Sequence, residues 1–523
     1  MLFYNLYATL IRSFYHFLRN NQELEMREQT RKSIEEMQID QVNPELNSRD
    51  DIPQILRGLQ YIFLNPILRE QILKILNGLF PQEIDRHNGR PGMDMWSIFV
   101  MGVIRLNLNC DYDRLHNLVN NHKTIRQILG HGVCDDQDSY YLQTLKDNVS
   151  LLTPEILDQI NQVVVKAGHE LIKKKPLDDD SLSAHPLKTE TLKGRCDSFV
   201  VETNVEYPTD TRLLFEALRK SIELLNRLCR QYEVDESVDL GELRRLKKLL
   251  RRLQKLKHST SKDESKQTAR QQEIIQAHQA YLDLARELLE RTECSLENLE
   301  KNEGVDKDKI LKIKEFINHA WRQIDQTHRR VIQGKKIPHQ EKVFSIFEPH
   351  TEWLSKGKAG VPVELGVTVG IVEDQYQFIL HHRVMQQEVD VDVAVLIIQE
   401  TQKRFPQLSS CSFDQGFHSV SNQRELSDVL EMVILPKKGR LSKTDQERQQ
   451  QVVFIEGRCQ HAAVESAIHA LEVHGLDRCP DRGLPAFKRY IALAVVARNL
   501  QILGRYIQKR EQDIEKERWK KAA

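Results

Sequence analysis

Strand-like sequence in this chain is interrupted by a long, highly charged stretch, residues 211–335, that reads as helix almost throughout. Alternating strand character begins at Cys196 and resumes only at Val361. The segment VELGVTVGIVEDQYQFILHHRVM then alternates, with a polar turn near Asp374 as in a hairpin. A helix (391–404), an apolar run ending at Asp414, a strand in MVILPKK (432–438) and helices from about 462 to 470 and from 484 to the end follow. The order is strand, helical insertion, hairpin, helix, strand, strand, helix. Strands alternating with helices predict a mixed α/β sheet built around the insertion.

At 523 residues the chain is too long for one compact core, and two to four domains are expected. Lys plus Arg and Asp plus Glu each number 76, so the net charge is zero. That argues against a uniformly basic nucleic-acid coat and leaves local basic patches open. The eight cysteines form no CxxC pair, which disfavours a zinc knuckle and fits reduced thiols in a cytoplasmic protein. In the first 20 residues apolar positions recur at helical spacing around Arg12, His16 and Arg19. An amphipathic packing helix is expected there rather than a membrane anchor.

The chain divides into an N-terminal helical region (1–88), a second helical domain (89–175) and a polar, Pro-interrupted linker (176–194). The sheet-bearing domain takes 195–210 and 340–510, the helical insertion 211–339, and a charged tail 511–523. In 89–175, helices over 95–108 and 111–120 and a third starting near His122 fit either a helix-turn-helix DNA-binding unit or a plain bundle.

Three acids stand out by context. Asp197 lies on the first strand and shares a face with Phe199 and Val201, while Glu202 points the other way. Asp414 ends an apolar run at a Gly-containing turn, and Glu465 sits on a helix. Two strand carboxylates and one helix carboxylate form the hard, all-oxygen set that holds paired Mg²⁺, or Mn²⁺ in its place, for phosphodiester cleavage. Asp210, before a helical run, reads as an N-cap. His461, Glu465 and His469 step by four, so a zinc site is conceivable, but no acid or Cys cluster completes it. Glu472 reads as an exposed acid.

The segment RRLKKLLRRLQKLK (244–257) holds no acid and places leucines at helical spacing. Its Lys247, Lys248, Arg251 and Arg252 are candidate phosphate contacts. So are Lys356 and Lys358 in a Gly-rich turn and Lys437, Lys438 and Arg440 in PKKGRLSK. Lys488 and Arg489 lie on an otherwise apolar helix. No P-loop sequence is present.

DSFVVETNVEYPTDTRLL, SIFEPHTEWLSKGKAGVPVELG, SFDQGFHS and HAAVESAIHALEVHGLDRCPDRGLPAFKRYIALAVVARNLQILG together resemble the DDE transposases of bacterial insertion sequences, in the group left as not classified yet. GRPGMDMWSIFVMGVIRLNLNCDYDRL resembles the N-terminal helical domain of those enzymes, so the likeness spans roughly 89–505. It implies an RNase H-like catalytic fold with Asp197, Asp414 and Glu465 as the acid triad. It also implies Mg²⁺-dependent strand cleavage and strand transfer on double-stranded DNA, with the terminal inverted repeats and target DNA as substrates. A homodimer in the DNA complex and a nucleoid-associated location follow from it. Many relatives carry basic residues four before and seven after the glutamate; this chain has His461 and Glu472. His461 is then the residue expected near the DNA end. The competing reading is a catalytically inactive, transposase-derived DNA-binding protein. A structural coiled coil draws only on 211–335 and leaves the strand-bound acids unexplained.

Overall fold

The computed structural model describes residues 38–79, 92–132, 139–173, 191–234, 238–302, 304–355 and 363–522. The first 20 residues, where an amphipathic helix is expected, most of the 176–194 linker, Lys356 and Lys358 lie outside the described residues. The chain forms two compact units, one containing residues up to Asn204 and from Val367 onward, the other Val205–Gly366.

The first unit is a mixed α/β structure whose sheet is not closed. Strand β1 (Leu192–Thr203) runs parallel to β5 (Leu408–Phe413), with Leu192 opposite Leu408 and Cys196 opposite Phe413. In turn β5 runs parallel to β6 (Met432–Ile434), and a short strand β7 (Arg478–Cys479) pairs with the far end of β1. On the other side of β1 lies β3 (Val363–Asp374), which is antiparallel to β4 (Ile379–Met385). The polar turn expected at Asp374 is there: Asp374 Oδ1 accepts the amide N–H groups of Tyr376 (2.8 Å) and Phe378 (2.9 Å).

After β4 this unit has α12 (Asp390–Arg404), α13 (Val420–Val429), α14 (Lys443–Gln449), α15 (Val452–His461) and α16 (Ala463–Leu471), and before β1 it has α1 (Asp51–Leu64), α2 (Pro66–Leu76), α3 (Met95–Asn107), α4 (Tyr112–Asn121), α5 (Lys123–Ile128), α6 (Leu142–Val149) and α7 (Pro154–Lys173). The helices before β1 share one apolar core with the sheet rather than making a core of their own. Every residue of α3 is buried, because its sequence MWSIFVMGVIRLN is apolar around the whole circumference. Arg105 is the exception in chemistry, and it is matched by Asp481 at 2.6 Å. The C-terminal helix, Leu484–Ala522, packs against α1 with backbones in direct contact. A Cβ on Gly504 would fall 1.8 Å from the Gln54 carbonyl, and one on Gly58 2.2 Å from that of Leu500. Only glycine allows that approach.

The second unit is largely helical and begins directly after β1. Its helices are α8 (Asp210–Gln231), α9 (Leu240–Lys255), α10 (Glu264–Glu300) and α11 (Lys307–Thr327). Leu243, Leu246, Leu250 and Leu253 of α9 turn one stripe into the bundle core, as their spacing requires. Strand β2 (Glu352–Ser355) is antiparallel to the first residues of β3, Val363–Gly366. The N-cap of α8 is Thr209, whose hydroxyl accepts from the Arg212 amide, and not Asp210. Asp210 instead pairs with Arg330 at 3.1 Å.

Candidate functional site

The register of two parallel strands brings the first two acids together. Cys196 of β1 and Phe413 of β5 are the last registered pair, and the next residue on each strand is Asp197 and Asp414. Neighbouring strands lie about 4.8 Å apart, so the two carboxylates start from adjacent backbone positions. The chain leaves the sheet at Asp414, which caps the short 3₁₀ turn Gln415–Phe417 and accepts the Gly416 amide at 3.4 Å. Asp414 is exposed, whereas Asp197 is largely covered.

Glu465 occupies the first turn of α16 (Ala463–Leu471), a helix that packs on β1. Burial pushes the Asp197 carboxyl up to about 6, and the negative charges of Asp414, Asp390 and Glu465 push the same way against the Ser198 amide bond. The three acids chosen from sequence therefore share one electrostatic neighbourhood. Among the described residues no three His, Cys, Asp or Glu side chains converge closely enough to hold a metal ion as they stand. The acids form an open cluster with two of its members, Asp414 and Glu465, exposed to solvent. Its donors are all carboxylate oxygens, which suits Mg²⁺ or Mn²⁺ and not Zn²⁺.

Two residues beside the triad were not singled out in the sequence. Asp390 is the first residue of α12 (Asp390–Arg404), and its Oδ1 accepts the Ser198 hydroxyl at 2.6 Å. Its only sequence signal is an acid at a helix start in EVDVDVAVL, which is the ordinary mark of a helix N-terminus. Arg195 lies two residues before Asp197 on the same strand face and pairs with the buried Glu373 at 2.9 Å. Burial raises the Glu373 carboxyl to about 7 despite that partner.

His461 ends helix α15 (Val452–His461), and Ala462, whose backbone stays in the right-handed helical region, joins it to the helix carrying Glu465. His461 and Glu465 thus lie on successive helices, and a kink at His474 and Gly475 follows beyond Glu472. His461 nonetheless feels both Asp414 and Glu465. Burial lowers its pKa first, and Arg195 lowers it further, against the pull of the two acids. Its Nδ1 is 3.0 Å from the Ser412 hydroxyl. His469 is exposed and faces Glu472 at 3.9 Å, so the two histidines have separate partners.

A cleft of about 250 Å³ opens beside this cluster, lined by Lys193, Arg195, Ser410, Ser412, Glu456 and Gln460 among others. Lys438 and Arg440 are exposed, while Lys437 is held by Asp445 at 2.6 Å. Lys488 is half-buried. Arg489 donates to the Ser150 carbonyl at 3.0 Å and lies 3.5 Å from Asp481, so its guanidinium is engaged within the fold.

In the second unit Lys247, Lys248, Arg251 and Arg252 are all exposed, with Arg244, Arg245 and Lys255 beside them. The one acid of α9, Glu242, is taken by Arg291 of α10. Among the described residues none of these seven cations lies in an ion pair of the structure.

Among the described residues no helix is long and apolar enough to cross a membrane. Compared with models of protein families, with curated proteins and with solved structures, the chain matches none.

Proposed function

We propose that this chain is a DDE-type transposase that binds the terminal inverted repeats of an insertion sequence, cleaves a strand there and transfers it to target DNA. The observation that carries the reading is the placement of Asp197 and Asp414 side by side on parallel strands, with Glu465 in reach of the same field. A sheet in which β1 lies between an antiparallel hairpin and two parallel strands supports the RNase H-like fold that the resemblance implies.

Chemically, a water oxygen forms a bond to phosphorus and the bond to the 3′ oxygen breaks, with that oxygen leaving as a hydroxyl. In strand transfer the freed 3′-hydroxyl attacks a target phosphodiester and displaces its 3′ oxygen in turn. Bound Mg²⁺ supplies activation of the attacking oxygen and stabilisation of the leaving one. The chain's own part is to present Asp197, Asp414 and Glu465 as hard ligands and to hold DNA against them. Burial, with the neighbouring acids adding to it, holds the Asp197 carboxyl up to about 6, and a bound cation would favour its charged form. The exposed cations of α9 serve phosphate contact, which positions DNA without reading sequence. His461, held by Ser412 beside the acids, is the residue we expect to meet the DNA end.

The test is cleavage of labelled duplexes carrying the inverted repeats that border the gene, with Mg²⁺ added to chelator-stripped protein. Mg²⁺-dependent nicks at the repeat ends are expected. Specific end binding with no cleavage in Mg²⁺ or Mn²⁺ would overturn the enzyme in favour of an inactive, transposase-derived DNA-binding protein. The acid-free stripe of α9 would carry that second reading alone.

A further inference from the structure

We infer that Asp390 is a positioning residue of the acid cluster, holding Ser198 and, through it, the β1 backbone that presents Asp197. The inference rests on the metal-dependent reading of the cluster. Ser198 directly follows Asp197, and its amide donates to Asp197 Oδ1 at 2.8 Å while its hydroxyl donates to Asp390 Oδ1 at 2.6 Å. One residue thus ties the two carboxylates to each other, across 192 positions of sequence.

The second oxygen of Asp390 faces the other strand acid. A Cβ at Gly416 would sit 3.1 Å from Asp390 Oδ2 and 3.6 Å from Asp414 Oδ2, so both carboxylates border the space that this glycine leaves open. Asp390 therefore touches the support of Asp197 with one oxygen and the surroundings of Asp414 with the other.

The ordinary account of an acid at this position is favourable interaction with a helix N-terminus. That account does not require the Ser198 bond, and capping of α12 falls to Asp392, whose carboxylate accepts the Val389 amide at 3.4 Å. Asp390 is a supporting contact of the kind that fixes a ligating carboxylate, where loss typically weakens metal binding about 10-fold or more.

Mn²⁺ binding to the purified full chain, followed by electron paramagnetic resonance, tests this without relying on catalysis. Asp390→Ala and Ser198→Ala should each raise the Mn²⁺ dissociation constant about 10-fold. The double variant should be no worse than either single, because both remove one linkage. Asp390→Asn keeps an acceptor for the serine hydroxyl, and Ser198→Thr keeps the donor, so both should stay within about twofold of the wild type. Urea midpoints and duplex affinity should not move with the metal affinity.

Asp390→Asn losing as much as Asp390→Ala would mean the residue acts by its charge, which overturns positioning. Additive losses, or metal losses that track a fall in urea midpoint, overturn it as well. Wild-type Mn²⁺ binding with unchanged variants overturns this inference alone. A wild type that binds no Mn²⁺ overturns the metal reading and this inference together.

Discussion

The acid cluster on β1 and β5 and the basic stripe on α9 both gather charge of one sign, but the surroundings make them different objects. Asp197 is largely removed from water, and the negative charges of Asp414, Asp390 and Glu465 add to the effect of that burial. The result is a carboxyl pushed up to about 6, against an ordinary value of 3.8. On α9 the cations are exposed, so water and salt screen them at little cost to the fold. A third region shows what the fold does when charge serves structure alone. Arg383 lies between Glu388 (2.6 Å) and Glu400 (2.8 Å), and Glu400 is drawn down to about 2, with His381 the largest cause and Arg383 assisting. Like charge gathered around a partly buried carboxyl suits a cation, whereas exposed like charge marks a surface that attracts polyanions.

The sharpest way to break this contrast is to remove single charges from the cluster. Asp197→Asn, Asp414→Asn and Glu465→Gln each keep the shape and remove a hard ligand, so cleavage should fall by roughly 10³-fold or more. End binding by the same variants should stay within about twofold. Gel-based cleavage and equilibrium binding on the same preparations measure both. Any one variant that cuts at near wild-type rate removes that residue from the cluster's chemistry.

Metal replacement is the next largest expected effect. Mg²⁺ and Mn²⁺ should support cutting, and Ca²⁺, which accepts looser geometry, should allow end binding with little cutting. Add-back of each ion to stripped protein decides the matter. Full activity with Zn²⁺ alone, lost in a His461→Ala, His469→Ala double variant, would replace the carboxylate set by a nitrogen-ligated one. The separate partners of those histidines, Ser412 and Glu472, argue for the carboxylates.

For α9 the expected effect is smaller and graded. Changing Lys247, Lys248, Arg251 and Arg252 together to Gln should weaken duplex binding and reduce the slope of log affinity against log salt by about 3 to 4. That figure supposes that each side chain neutralises one phosphate. An unchanged slope would make the stripe a solvated face of a helical bundle, and the comparison with the acid cluster would then rest on one region only.

Much of this organisation was legible in the sequence, and the reasons divide by range. Period-two alternation gave β1 near Cys196 and the β3–β4 hairpin with its Asp374 turn. Helical spacing gave α9, α12, α16 and the final helix to within a few residues. The contexts of Asp197 and Asp414 pointed to a strand and to the end of an apolar run, and the register brings those positions together. What was not legible depends on partners far away in sequence. Asp390 looks like any acid at a helix start, and its role comes from a serine 192 residues earlier. Arg489 looks like a surface cation on an apolar helix, but Ser150 and Asp481 take it inward. The helices of 92–173 carry the apolar content of a bundle, yet they bury it in a core shared with the sheet, which periodicity alone cannot indicate.

The smallest expected effect concerns stability and tests the origin of the Asp197 shift. Its folded pKa lies above its ordinary value of 3.8, at about 6, so the native state holds this proton more tightly than the unfolded chain does. For an acid shifted upward, stability falls as pH rises from about 3.8 to about 6, because the unfolded state releases the proton first. Above that window the penalty is constant, and below it the penalty vanishes. Asp197→Asn removes the titration, so its advantage over the wild type should grow across the same window and reach about 1 to 3 kcal/mol near pH 7. Urea unfolding at pH 4 and pH 7 in chelator measures this directly. Mg²⁺ should narrow the gap at pH 7, since a cation that binds the charged native cluster stabilises the wild type. A gap that is equal at both pH values would mean that neither burial nor the neighbouring acids raise Asp197, and the cluster would lose the electrostatic reason for holding a metal.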